Sequence, residues 1–179
     1  RTLCQRQEVT PFILLLAAFK VLLYRYTGQT DLLVGTAVAA RTQLPWEKTI
    51  GLLINTLVLR TDASHNPPFT EYLQQVRTVS LAAYAHQTLP YSTVLTALAP
   101  DRDLSHKPLI QSFFLLQNFE MTPLTLPGVQ ITPLPVSTGT AKFDLTLKKK
   151  KKTGGLQGWI EYNTDLFAVK SIQRLVGHF

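Results

Sequence analysis

Ile50-Gly51-Leu52-Leu53-Ile54-Asn55-Thr56-Leu57-Val58-Leu59-Arg60 sets an amide, a hydroxyl and a terminal guanidinium into a run that otherwise reads as an apolar strand. Leu52, Leu53, Ile54, Leu57, Val58 and Leu59 suit a strand covered on both faces. A buried amide or hydroxyl costs about 1 to 3 kcal/mol if it finds no partner. Asn55 and Thr56 therefore either line a ligand channel or anchor a loop.

Outward from this strand, the pattern alternates between helix and strand. Thr10 can cap a helix whose first position is Pro11, and Phe12, Leu15, Leu16, Phe19, Leu22 and Leu23 recur at helical spacing until Gly28 stops it. The spacing predicts a helix over Pro11 to Thr27. Leu32 to Ala39 reads as a buried strand, with Gly35 marking close approach of a neighbour or ligand. Arg41 follows it, and the loop around Pro45 and Trp46 leads into the Asn-Thr strand. Asn66 is placed to cap a second helix opening on Pro67-Pro68, with Phe69, Tyr72, Leu73, Val76, Val79, Ala83 and Tyr84 as its core stripe. That helix ends near Gln87, and Pro90 separates it from a short helix over Tyr91 to Leu98. Further strands are expected over Ile110 to Asn118, Val129 to Val136, Lys142 to Lys148 and Gly155 to Tyr162, then a helix from Ala168 to Phe179. In the third of these, Phe143 and Leu145 share one face and Asp144 takes the other. The expected class is α/β, a mixed sheet with helices packed on it in a two-layer sandwich.

Composition narrows the function classes. With 179 residues, 45% of them hydrophobic, the chain can bury the core of one domain, residues 1–179. Its single cysteine, Cys4, excludes an internal disulfide, and no zinc-type Cys/His spacing occurs, which fits a reducing, cytoplasmic setting. The apolar run from Phe12 to Phe19 falls short of the roughly 20 residues that span a bilayer. Of the net charge of +7, five units are the run Lys148 to Lys152, and without them the excess is +2. Basic residues interleaved with aromatics, as in single-strand nucleic-acid binders, are not seen. The run reads as a solvated hairpin tip closing on Thr153-Gly154-Gly155 in preference to a phosphate site. His65, His86, His106 and His178 are scattered singly, and none is marked as a general base. His86 suits the negative end of the preceding helix dipole better than a substrate contact. Arg102, Asp103 and Ser105 suit a braced connection before a strand.

The opening stretch resembles the I-G-x-x-x-N-T-x-x-x-R signature of nonribosomal peptide synthetase condensation domains. Two more motifs follow in the same order. His86-Gln87-Thr88-Leu89-Pro90-Tyr91-Ser92 resembles H-Q-D-x-P-F-E, and Arg102 to Ile110 resembles R-D-x-S-R-N-P-L-F. The likeness extends from Phe12 through Ala141-Lys142-Phe143-Asp144-Leu145 to Glu161-Tyr162-Asn163-Thr164-Asp165-Leu166-Phe167, nearly the whole chain. The family's catalytic signature, H-H-x-x-x-D-G, belongs to the N-terminal half of such a domain, and these 179 residues hold no adjacent His pair. The resemblance thus implies the C-terminal half of a chloramphenicol-acetyltransferase-like domain, inactive alone.

It further implies a tunnel between two halves, where an amine attacks a thioester. Both reactants arrive on the phosphopantetheine arms of carrier proteins, and no cofactor is held by the domain itself. Gly35, Asn55 and Thr56 are then channel-wall residues, and no residue of this half is catalytic. Arg41, Arg60, His86, Gln87, Pro90, Arg102, Asp103, Ser105 and Asp144 are motif residues of structural role, Arg60 bracing its strand's end. Expected partners are the N-terminal half, carrier proteins and an adjacent adenylation domain. A latch and a floor loop are expected between Asn118 and Asp144. Thr88, Ser92 and His106-Lys107 depart from the family's Asp, Glu and Arg-Asn, removing carboxylates that could brace the halves. Alternatives are a noncatalytic docking module or an epimerising or cyclising relative. An isolated half would expose an apolar face suited to self-association.

Overall fold

Helix formation begins where the sequence places its caps. In this computed structural model, which describes residues 2–39, 41, 46, 49–98, 109–117, 126–132, 134, 139–152 and 155–179 (backbone only for 151 and 152), a short helix α1 (Thr2–Arg6) precedes α2 (Pro11–Thr27). Thr10 Oγ1 accepts from Ile13 N at 3.3 Å, and Pro11 opens the helix. Gly28 closes α2 at φ 71°, its N–H donating to Tyr24 O at 2.8 Å.

The remaining described elements are β1 (Asp31–Ala39), β2 (Ile54–Asp62), α3 (Phe69–Ala85), α4 (Tyr91–Leu98), β3 (Ser112–Gln117), β4 (Leu145–Lys152), β5 (Gly155–Tyr162) and α5 (Val169–His178). The strands form one mixed sheet in the order β2-β1-β3-β4-β5. β1 runs antiparallel to β2 and parallel to β3; β4 runs parallel to β3 and antiparallel to β5. Alternation along the strands gives each face its own set of side chains. One face carries Val34, Leu59 and Phe114, which meet Leu16 and Phe19 of α2 and Leu73 of α3 in a core where all six are fully buried. Ile172 and Leu175 of α5 complete that layer. The opposite face carries Gly35, Thr56, Phe113 and Thr146.

Several expectations need correction. The Asn-Thr strand starts at Ile54, where the ladder with Ala39 begins; Ile50 and Leu52, at 102% and 88% exposed, lie outside it. Asn66 does not cap α3. It sits in a turn at φ 45°, and the cap position is Pro68, extended at ψ 146° and without a side-chain bond, because a residue preceding proline is pushed away from helical geometry. The lysine run is a paired strand that ends at the expected hairpin: Lys148–Lys152 lie within β4, Lys148–Lys150 between β3 and β5, while Lys151 and Lys152 pair with β5 where the hairpin closes at Lys152–Gly155. Cross-strand partners make that tolerable, since Lys148 Nζ pairs with Glu161 at 2.7 Å and Lys149 Nζ lies 4.6 Å from the Phe179 ring centroid. Of the strand expected over Val129 to Val136, the described residues show an isolated Leu126–Val129 bridge around Gly128. Phe143 and Leu145 do not share a face, because β4 begins only at Leu145. Leu145 enters the helix-side core while Phe143 stacks on Phe113 of the other face, 4.4 Å between centroids.

Candidate functional site

Asn55 sits at the start of β2 on the same face as Leu57 and Leu59, and its amide reaches the corner joining α3 to α4. Nδ2 donates to Gln87 O at 2.8 Å and Leu89 O at 2.7 Å, while Oδ1 accepts from Tyr91 N at 3.1 Å and Thr56 N at 2.9 Å. Those are the bonds of a loop anchor, and they use both amide donors and both lone-pair directions of the oxygen. The corner exists because Pro90 interrupts the helical path, and the Pro90 carbonyl then accepts from Thr93 N and Val94 N to begin α4. His86 caps α3, with Nδ1 2.9 Å from Ala82 O; a carbonyl only accepts, so Nδ1 carries the proton. Burial pushes the Tyr91 phenol up from its ordinary value.

Thr56 points to the opposite face from Asn55, opposite Ala37 of β1. Beside it lies Gly35, where a Cβ would meet Phe113 Cδ2 at 2.6 Å and Ile110 Cγ2 at 2.8 Å. The close neighbour of Gly35 is thus the Phe113 ring of β3 together with Ile110. Arg60, on this same face, forms a two-pronged pair with Asp31: Nε to Oδ1 at 2.9 Å and Nη2 to Oδ2 at 2.8 Å. The Arg60 hydrogen bond holds the Asp31 carboxyl below its ordinary range, and Asp31 in turn raises Arg60. Arg41 folds its own loop, donating to Trp46 O and Thr49 O. Asp144 precedes β4, and its carbonyl accepts from Asn163 N at 3.0 Å. Arg102, Asp103 and Ser105 lie outside the described residues.

The sheet therefore splits the expected site. Asn55, His86, Gln87 and Pro90 meet at one corner on the helical side, while Gly35, Thr56 and Arg60 lie on the opposite face, where Gly35 is buried, Thr56 half-buried and Arg60 exposed. Sequence reasoning passed over Lys20. It falls at helical spacing with Leu16, Phe19 and Leu23, a core position, and that spacing was the available signal. Its Nζ, fully buried, donates to Leu59 O, Thr61 Oγ1 and Leu32 O at 2.6, 2.9 and 3.1 Å. Among the described residues no group of three or more His, Cys, Asp or Glu side chains is arranged to hold a metal. No described helix is long and apolar enough to cross a membrane.

Comparison with known proteins matches this arrangement to a family. The Condensation domain family model matches residues 1–179, so the chain belongs to the condensation domain family. It is 48% identical to one of the linear gramicidin synthase proteins of Brevibacillus parabrevis, over 99% of this chain and 4% of that protein. It is 40% identical to tyrocidine synthase 3 of the same organism, over 99% of this chain and 3% of that protein. The chain thus spans a small part of these relatives. Among solved structures, the X-domain from teicoplanin biosynthesis shares the fold at TM-score 0.90 and 24% identity, covering 98% of this chain and 41% of that one. The holo form of AB3403, a four-domain nonribosomal peptide synthetase bound to AMP and glycine, matches at TM-score 0.88 and 27% identity, over 98% of this chain and 14% of that one.

Proposed function

We propose that this chain is the C-terminal half of a condensation domain that joins two carrier-tethered acyl groups through an amide bond. The observation that carries this reading is the match of all 179 residues to the condensation family, while the chain covers 41% of the solved X-domain. The sheet face that carries Gly35 and Thr56 backs one wall of the reaction channel, and the histidine-bearing N-terminal half forms the other. The exposure of Ile50, Leu52 and Ile54, at 102%, 88% and 61%, fits a segment that a second half covers.

In the reaction, the acceptor amine attacks the donor thioester carbonyl. A C–N bond forms, the C–S bond breaks, the donor phosphopantetheine thiol leaves with the amine's proton, and the amide product stays on the acceptor arm. Holding two tethered reactants in near-attack geometry supplies about 7 to 11 kcal/mol of the barrier reduction. This half's contribution is to hold the channel wall and the carrier-facing corner in place, through Asn55 and the Arg60–Asp31 pair. Carrier proteins deliver the substrates, and an adenylation domain is the expected neighbour.

The test joins this chain to an N-terminal half bearing H-H-x-x-x-D-G and supplies donor and acceptor carrier proteins loaded with aminoacyl-phosphopantetheine. Mass spectrometry should find the dipeptidyl thioester on the acceptor carrier with both halves present and none with this chain alone. Product from this chain alone, or none from a folded two-half domain, would overturn the reading.

A further inference from the structure

The Lys20 ammonium lies inside a protein core yet has a built set of partners. Its acceptors, Leu32 O, Leu59 O and Thr61 Oγ1, belong to the facing strands β1 and β2. Thr61 Oγ1 is also 2.8 Å from the Tyr72 hydroxyl of α3. One nitrogen on α2 is therefore wired to three other elements. The charged group that acts on it is Asp31 on β1, which in turn feels Arg60 and Asp62 on β2, and Tyr72 on α3 is linked to it through Thr61. Asp31 is held ionised by Arg60, and Asp62 by the Ser64 amide and hydroxyl, both below their ordinary range.

The chain of partners accommodates two proton arrangements. With three protons, Lys20 donates to both carbonyls and to Thr61, which must pass its own proton to Tyr72. The Tyr72 proton then needs another acceptor, and Tyr72 lines a half-open surface pocket with Ala63, Asn66 and Phe69 that water can enter. With two protons, Lys20 donates to both carbonyls and accepts from Thr61, which accepts from Tyr72, so every donor in the chain is used. Burial pushes Lys20 down to about 7, opposed by the charge of Asp31, which brings both arrangements within a physiological range.

We propose that Lys20, Thr61 and Tyr72 form a proton-driven hydrogen-bond switch that sets how firmly α2 and α3 grip the β1–β2 hairpin. Loss of one proton from Lys20 to water reverses the donor direction from Lys20→Thr61→Tyr72 to Tyr72→Thr61→Lys20. Because β2 also carries Asn55 and Thr56, the switch acts on the element that places the corner on one face and Thr56 on the other. It does not depend on the amide-forming reading, since it uses only contacts within this chain.

The experiment follows the Cε resonances of ¹³C-labelled lysines in the full chain from about pH 5 to about pH 11, with Lys20 assigned by its loss in Lys20→Met. Lys20 should titrate about two units or more below the other lysines. Thr61→Val should lower its midpoint further, because the ammonium loses its third acceptor, whereas Thr61→Ser should leave it in place. Amide exchange of the β1–β2 hairpin in the wild-type chain should change by roughly tenfold across the same midpoint. Lys20 titrating with the other lysines would overturn the proposal, as would a midpoint unmoved in folded Thr61→Val. Hairpin exchange indifferent to the Lys20 charge would overturn it too, and that measurement needs no variant to fold.

Discussion

Asn55 concentrates more of the site than any other side chain the sequence singled out. Its amide fixes two carbonyls and an N–H of the α3–α4 corner from the end of an edge strand. Asn55→Ala should cost about 1 to 3 kcal/mol in urea unfolding, because the half-buried backbone groups at Gln87 and Tyr91 lose that partner, whereas the exposed Leu89 carbonyl can turn to water. Asn55→Asp should cost at least as much near neutral pH, since it sets a carboxylate oxygen against two carbonyl oxygens. The polar identity of Asn55 was legible because an amide in an apolar run must find partners. Which partners it found was not, since Gln87 and Leu89 lie 32 and 34 residues away in the chain. Lys20 was missed for the opposite reason: a long cationic side chain on a helix ordinarily reaches solvent, and only the surrounding strands show that it does not.

Elements with local stop signals were read closest to their true limits. α2 has a capping threonine, an N1 proline and a terminating glycine, all of which act within a few residues, and α4 is bounded by Pro90 on the same principle. Strands have no such independence. β4 holds five consecutive lysines and reads locally as solvated, but β5 pairs with it along its length and β3 as far as Lys150, and Glu161 and Phe179 receive two of the charges. The β1–β3 contact shows how tight such pairing is. Gly35→Ala should lower stability by about 1 to 3 kcal/mol, because the new methyl group meets the Phe113 ring. Adding Phe113→Leu should recover part of that loss, and a double-mutant cycle by denaturant unfolding would measure the coupling. Additive effects would show that the ring is not what excludes a side chain at Gly35.

At the scale of the molecule, the buried lysine makes stability depend on pH with a definite sign. Lys20 titrates near 7 in the fold, against 10.5 as its ordinary value. Between those values the unfolded chain holds a proton that the folded chain has released. The contribution of this group to stability therefore rises with pH across that window, by up to about 5 kcal/mol, and its penalty is present in full below it. Thermal melts should show this rise in the wild-type chain and a flatter profile in Lys20→Met; parallel profiles would show that Lys20 carries none of it. By itself the sequence determined the α/β class, the helices with local caps, the polar demand at Asn55 and the family likeness, because these rest on periodicity, short-range stereochemistry and contiguous motifs. Only the tertiary structure decided which of the two faces Asn55 and Thr56 each serve, that the lysine run enters an internal strand, and that Lys20 is sealed among carbonyls. Each of these depends on strand pairing between residues distant in the chain, and burial, which sets the energy of a polar group, does not exist until those strands have met.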